Sequence, residues 1–133
     1  MKRLFILTVL LVILCISISA TDECTYLAKI AATAAPDAPF VVKVVFCEML
    51  MNRVKHENFP NTLPAVCFSM GIRGKLKNPT ADDIRAAALA LHDFGFGGDT
   101  LYFEKCDKIK RTPPDKQSGM RLYDWYFYSA SSI

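Results

Sequence analysis

Few side chains here can do chemistry, and among the carboxylates Glu48 stands out. It is the only acid in FVVKVVFCEMLMNRV, residues 40 to 54, a run that is otherwise largely apolar. A carboxylate buried in such a run needs a partner or a shifted protonation equilibrium, and either is a starting point for acid–base work. The plainer alternative is a Glu48 that reaches solvent or pairs with a base. The cysteines offer a second chemistry. Cys24, Cys47, Cys67 and Cys106 lie beyond residue 20, and four thiols in an exported chain permit two disulfides in any of three connectivities. Cys47, inside the apolar run, reads equally as a buried thiol. Metal binding is not expected: Cys47 and Cys67 are 20 positions apart, no pair is closer, and His56 and His92 are far apart in sequence.

The third resource is aromatic. Tyr102, Phe103, Tyr123, Trp125, Tyr126, Phe127 and Tyr128 crowd two short runs. In a strand alternate side chains face opposite ways, so Tyr123, Trp125 and Phe127 would share one face and Asp124, Tyr126 and Tyr128 the other. One face must be core, and the other offers flat rings to a ligand or to solvent.

Composition bounds the setting. The 133 residues suit one domain, and the first 20 read as a signal peptide. Lys2 and Arg3 precede an apolar run from Leu4 to Ile18, and Ser19-Ala20 supplies small residues for cleavage before Thr21. Fifteen residues are short for a bilayer span, which needs about 20. An uncleaved anchor is the alternative, and Leu14 before Cys15 argues against a lipoprotein site. Residues 21–133 keep 14 basic and 13 acidic residues, a net charge of +1, so there is no electrostatic case for nucleic acid. No cofactor is expected, nor any membrane partner after cleavage. The expected location is secreted or cell envelope.

The elements that must position these groups follow from periodicity. Tyr26 to Ala35 reads as a short Ala-rich helix, closed by Pro36, Asp37 and Pro39. A helix from about Phe40 to Val54 is apolar nearly all round, as a central buried helix is. Residues 55 to 79 read as loop with a helical turn near Leu63 to Phe68. Thr80 is an N-cap candidate with Asp83 in the first turn, and Ile84, Ala87, Ala88 and Leu91 follow at helical spacing. Gly95 is a suitable terminator, and Gly97-Gly98-Asp99 leads into a β-type run, Thr100 to Phe103. A basic loop from Lys105 to Ser118 holds Lys108, Lys110 and Arg111, which can attract an anionic polymer or simply be solvated. Tyr123 to Tyr128 is the closing strand. Helices first and strands last predict α+β.

Five segments, in order, resemble the SleB-like cell wall hydrolases, the spore cortex-lytic enzymes. They are LAKIAATAAPDAP, VVKVVFCEMLMNRV with its closing Asn-Arg-Val, NFPNTLPAVCFS, PTADDIRAAALALHDFGFGGDTLYF and RLYDWYFY. The resemblance implies a lysozyme-like α+β domain, several helices on a small C-terminal antiparallel sheet, that cleaves peptidoglycan glycan strands outside the membrane. Cutting a glycosidic bond needs a proton donor at the leaving oxygen. Counting back from Asn52-Arg53-Val54 places the family's catalytic Glu at Ala34 and its second Glu at Ala38, while the family's His falls on Trp125. The chain departs from the pattern where the chemistry should be. One reading is a shifted acid: Asp37, three residues past Ala34, or Glu48, with Glu104 a weaker candidate. Asn52, Tyr102, Trp125 and Tyr126 are the candidate glycan-binding residues, although Asn52 and Arg53 also suit a role holding the helix exit by bonds to backbone. A second reading is an inactive homologue that binds glycan. A third is a module for protein–protein contact.

Overall fold

The computed structural model describes residues 2–92, 95–105 and 119–129, without the side chains of 3, 5 and 11–21. Cys106 and the basic residues Lys108, Lys110 and Arg111 lie outside the described residues. Four α-helices precede three strands: α1 (Lys2–Ala34), α2 (Phe40–Lys55), α3 (Leu63–Ser69), α4 (Ala81–Leu91), β1 (Tyr102–Lys105), β2 (Met120–Leu122) and β3 (Trp125–Tyr128). The fold is α+β.

α1 is longer than the helix expected from Tyr26, because no Pro or Gly interrupts residues 2 to 34 and the helical ladder runs on through Ala20-Thr21. Its two halves differ in packing. Leu4, Ile6, Leu7, Val9 and Leu10 are exposed, whereas Leu27, Ala28, Ile30 and Ala31 are fully buried. Over the described residues no helix is long and apolar enough to cross a membrane.

α2 is the central helix, buried from Val42 to Leu50. It starts after Pro39 without a side-chain cap and packs on α1, α3 and, most extensively, α4. α4 carries the expected cap in full: Thr80 Oγ1 accepts from the Asp83 amide, and Asp83 Oδ2 accepts from the Thr80 amide at 2.7 Å. Its buried face is one position off the expected stripe. Asp83, Ala86, Ala87 and Ala90 face inward, while Ile84 is 46% exposed. Small alanines let α4 approach α2 closely, and the inward Asp83 meets Lys43 of α2 at 2.6 Å, both side chains nearly inaccessible.

The aromatic runs pair as expected and acquire a third strand. β3 is central in the order β1-β3-β2, antiparallel to both neighbours, with Phe103 opposite Phe127 and Leu122 opposite Trp125. Tyr123, expected in the closing strand, lies instead in a two-residue turn between β2 and β3. All four β3 residues are buried, so neither face of this strand is the open platform of rings that alternation allowed. Trp125, Phe103 and Phe127 pack against one another, with Phe46 of α2 edge-on to Phe103 and Trp125. On the other side Tyr126 uses its hydroxyl to accept from the Gly119 amide at 3.1 Å, at a point where a Cβ on Gly119 would stand 2.5 Å from the Phe127 carbonyl.

Candidate active-site cleft

Polar residues on α2 bond to one loop. The segment from Phe96 to Leu101 must cross the helix before β1 begins, and its backbone groups need partners there. Glu48, 5% exposed, accepts from the amides of Phe96, at 3.1 Å, and Gly97. Asn52 Nδ2 donates to the carbonyls of Gly98 and Thr100, both at 3.0 Å, and Arg53 Nε donates to Leu101 at 2.6 Å. Thr100 Oγ1 closes the loop on Gly97 O. A Cβ on Gly97 would sit 2.9 Å from Glu48 Oε2, so only Gly brings the amide in this close. The carboxylate supplies acceptors for N–H groups, and the amide and guanidinium supply donors for C=O groups. The guanidinium of Arg53 also lies over the rings of Phe59 and Tyr102, at 4.9 and 5.6 Å.

The clamp has a testable consequence. Glu48→Gln puts an NH2 donor against two amide donors, so one amide loses its acceptor. We expect a loss of about 1–3 kcal/mol in denaturant unfolding, the usual cost of an unsatisfied buried donor.

A separate cleft of about 450 Å³ opens between the α1–α2 connection and the sheet. One wall is Ala34 to Pro39, where Pro36 and Pro39 force the chain out of helix. The other is Lys105 at the end of β1 together with Tyr123, Asp124 and Trp125. Its size is that of an ordinary small-ligand site. Two carboxylates line it from distant parts of the chain: Asp37, exposed, and Asp124, half-buried. Trp125 is only 7% exposed and has Lys105 Nζ 6.0 Å from its ring centre.

The cleft unites Asp37 and Trp125 among the residues singled out from sequence, along with Ala34 and Ala38. Glu48, Asn52, Tyr102, Tyr126 and Glu104 do not line it. Glu48 and Asn52 are committed to the loop clamp. Tyr102 stacks on Tyr128 at 5.3 Å, beside Phe59. Tyr126 is buried, and Glu104 is exposed on β1. Tyr123 and Asp124 are cleft residues that periodicity assigned to a strand.

Tyr123 has a further peculiarity: its φ is +54°. A two-residue hairpin with one positive φ, at its first central position, normally has Gly there. A bulky side chain in the left-handed region costs about 1–2 kcal/mol. The Arg121 guanidinium donates to the Tyr123 carbonyl at 3.3 Å, bracing the turn, and the ring stays 66% exposed at the cleft.

The thiols make poor nucleophiles. Cys24, Cys47 and Cys67 are free. Burial pushes the Cys24 and Cys47 thiols up and raises that of Cys67 to about 11, so little thiolate exists near neutral pH. The bridges that four cysteines permit are not formed among these three. Among the described residues no group of His, Cys, Asp and Glu could hold a metal ion.

No family model matches the chain, and no curated protein does. Two solved structures do. The catalytic domain of the germination-specific lytic transglycosylase SleB from Bacillus anthracis superposes with a TM-score of 0.60 at 17% identity, over 80% of this chain and 93% of that one. The catalytic domain of the Bacillus cereus SleB protein superposes with a TM-score of 0.61 at 17% identity, over 80% and 89%. The fold is therefore the lysozyme-like α+β fold of SleB catalytic domains.

Proposed function

We propose that this chain handles peptidoglycan glycan strands in the cleft between the α1–α2 connection and the β2–β3 turn, and that Asp37 supplies the proton for cutting them. One observation carries the reading. The positions where the family resemblance puts two acids and a histidine, Ala34, Ala38 and Trp125, come from opposite ends of the domain and line one cleft. Asp37 lies on the same wall, three residues after the vacated position. A carboxylic acid there can protonate the glycosidic oxygen as the C–O bond breaks; the bonding electron pair leaves with that oxygen, and a solvent water then bonds to the anomeric carbon and returns its proton to the carboxylate.

Cutting cell-wall glycan requires work outside the membrane. Export through a signal peptide ending near Ala20 fits the packing, since the described apolar residues before position 11 are exposed and the described core begins at Leu27. Residues 21–133 are then the working domain.

A second reading, binding without cutting, is favoured by the methyl groups of Ala34 and Ala38 in the cleft wall. One experiment separates the two: turbidity loss of purified peptidoglycan with residues 21–133, beside Asp37→Asn and Glu48→Gln, with product analysis and pull-down on the same material. Clearing by the parent that falls about 10²- to 10⁴-fold in Asp37→Asn, the usual loss of a general acid, supports Asp37. Loss in Glu48→Gln alone, per folded molecule, would move the acid to the clamp. Pull-down without clearing would support the binding module, and the absence of both clearing and pull-down would overturn the glycan reading.

A further inference from the structure

We infer that the Tyr123–Asp124 turn is a sugar-positioning element: the Tyr123 ring stacks on a sugar face, and the Asp124 carboxylate accepts from the amide N–H or a hydroxyl of the same N-acetylated sugar. The inference rests on the glycan reading of the cleft and adds to it the residues that orient the strand. Three observations carry it. Tyr123 occupies a backbone conformation that favours glycine, at φ +54°, with no burial to repay the strain. Such strain persists where surrounding structure holds it, and it gathers at ligand sites. The ring is 66% exposed yet lines the cleft, so the conformation presents it to an occupant and not to the core. Asp124 follows directly in sequence and lines the same cleft, so a carboxylate acceptor and the ring border one space.

The chemistry matches a sugar with an acetamido group. The C–H face of a pyranose is apolar and flat enough to cover a phenol ring, while its edge carries donors. A ring and an adjacent carboxylate on one rigid two-residue turn read both at once. Strands paired at Leu122–Trp125 hold the turn, and both of its residues line the cleft that Asp37 also lines.

The test uses the only tryptophan in the chain, Trp125, as the reporter. Residues 21–133 are titrated with a soluble tetramer of N-acetylglucosamine, following Trp125 fluorescence, and thermal unfolding is recorded for each variant. Tyr123→Gly suits the positive φ and removes the ring. We expect its Tm level with or above the parent's and its affinity about tenfold weaker, the scale of losing an aromatic anchor. Asp124→Asn keeps an acceptor and loses only the charge assistance, so it should weaken binding several-fold without lowering Tm. A turn with no part in binding would leave affinity unchanged in Tyr123→Gly, whatever its Tm. Parent-like affinity in both variants would overturn the assignment while leaving the glycan reading intact. A parent that binds neither the tetramer nor peptidoglycan would overturn both.

Discussion

Lys43→Met should cost about 3–5 kcal/mol of unfolding free energy, because it strands a buried charge. The pair it breaks joins the central helix to the first turn of α4. Lys43 Nζ lies 2.6 Å from Asp83 Oδ1, with side-chain exposures of 7% and 1%. The other oxygen of Asp83 accepts from the Thr80 amide and hydroxyl, at 2.7 and 2.8 Å. One carboxylate thus caps a helix and neutralises a lysine inside the core. A domain of this size is stable by only about 5–15 kcal/mol, so the single variant should lose a large share of its stability.

The companion variant shows why. Asp83→Asn in the Lys43→Met background keeps an acceptor for the cap and leaves no charge buried. The double variant should be more stable than Lys43→Met alone, a coupling that a double-mutant cycle in urea measures directly. Equal or greater loss in the double variant would mean that the lysine stem, not the charge pair, supplies the stability.

The same pair sets a response to acid. Burial alone would raise the Asp83 carboxyl. The hydrogen bonds from Lys43 and Thr80 and the lysine's charge outweigh it and hold the carboxyl below its usual value. Its contribution is therefore complete above the unfolded-state value near 4 and is lost as pH falls through the lower folded value. In the parent, unfolding free energy should decline below about pH 4, and the double variant should show a shallower decline.

Much of this was legible in the sequence, and the misses share a cause. The apolar run from Phe40 to Val54 announced a central helix, Thr80 and Asp83 announced a cap, and two aromatic runs announced paired strands. Hydrophobic periodicity then set the buried stripe of α4 one position off. It counts Ile84 as inward, but the fully buried positions facing the core hold alanines and the ion-paired Asp83, and Leu91 is only partly buried against the core. Glu48 was visible as a buried acid, yet its partners are main-chain amides 48 and 49 residues away, which no side-chain pattern reports. Tyr123 looked like strand because it is aromatic among aromatics. Its turn carries none of the usual Gly or Asn signals, so nothing in the composition marked the residue or set Asp124 apart.

The second large effect is catalytic, and it concerns a residue the chain does not have. Ala34 and Asp37 share one wall of the cleft. If that cleft is where the glycan is cut, a carboxylic acid at either place can reach the leaving oxygen, and the two positions should substitute for each other. Removing Asp37 should cost about 10²- to 10⁴-fold in rate, and a new acid at position 34 should return a large part of it. Substitutions on the clamp cannot produce such a rescue, because Glu48 faces the 96–101 loop and not the cleft.

The decisive measurement is the rate of peptidoglycan clearing by residues 21–133 as the parent, as Asp37→Asn, and as Asp37→Asn combined with Ala34→Glu, each checked for folding by circular dichroism. Clearing by the parent, its loss in Asp37→Asn and its return with Glu at position 34 are the expected results. A folded double variant that clears no faster than Asp37→Asn would contradict the placement of the reaction in this cleft.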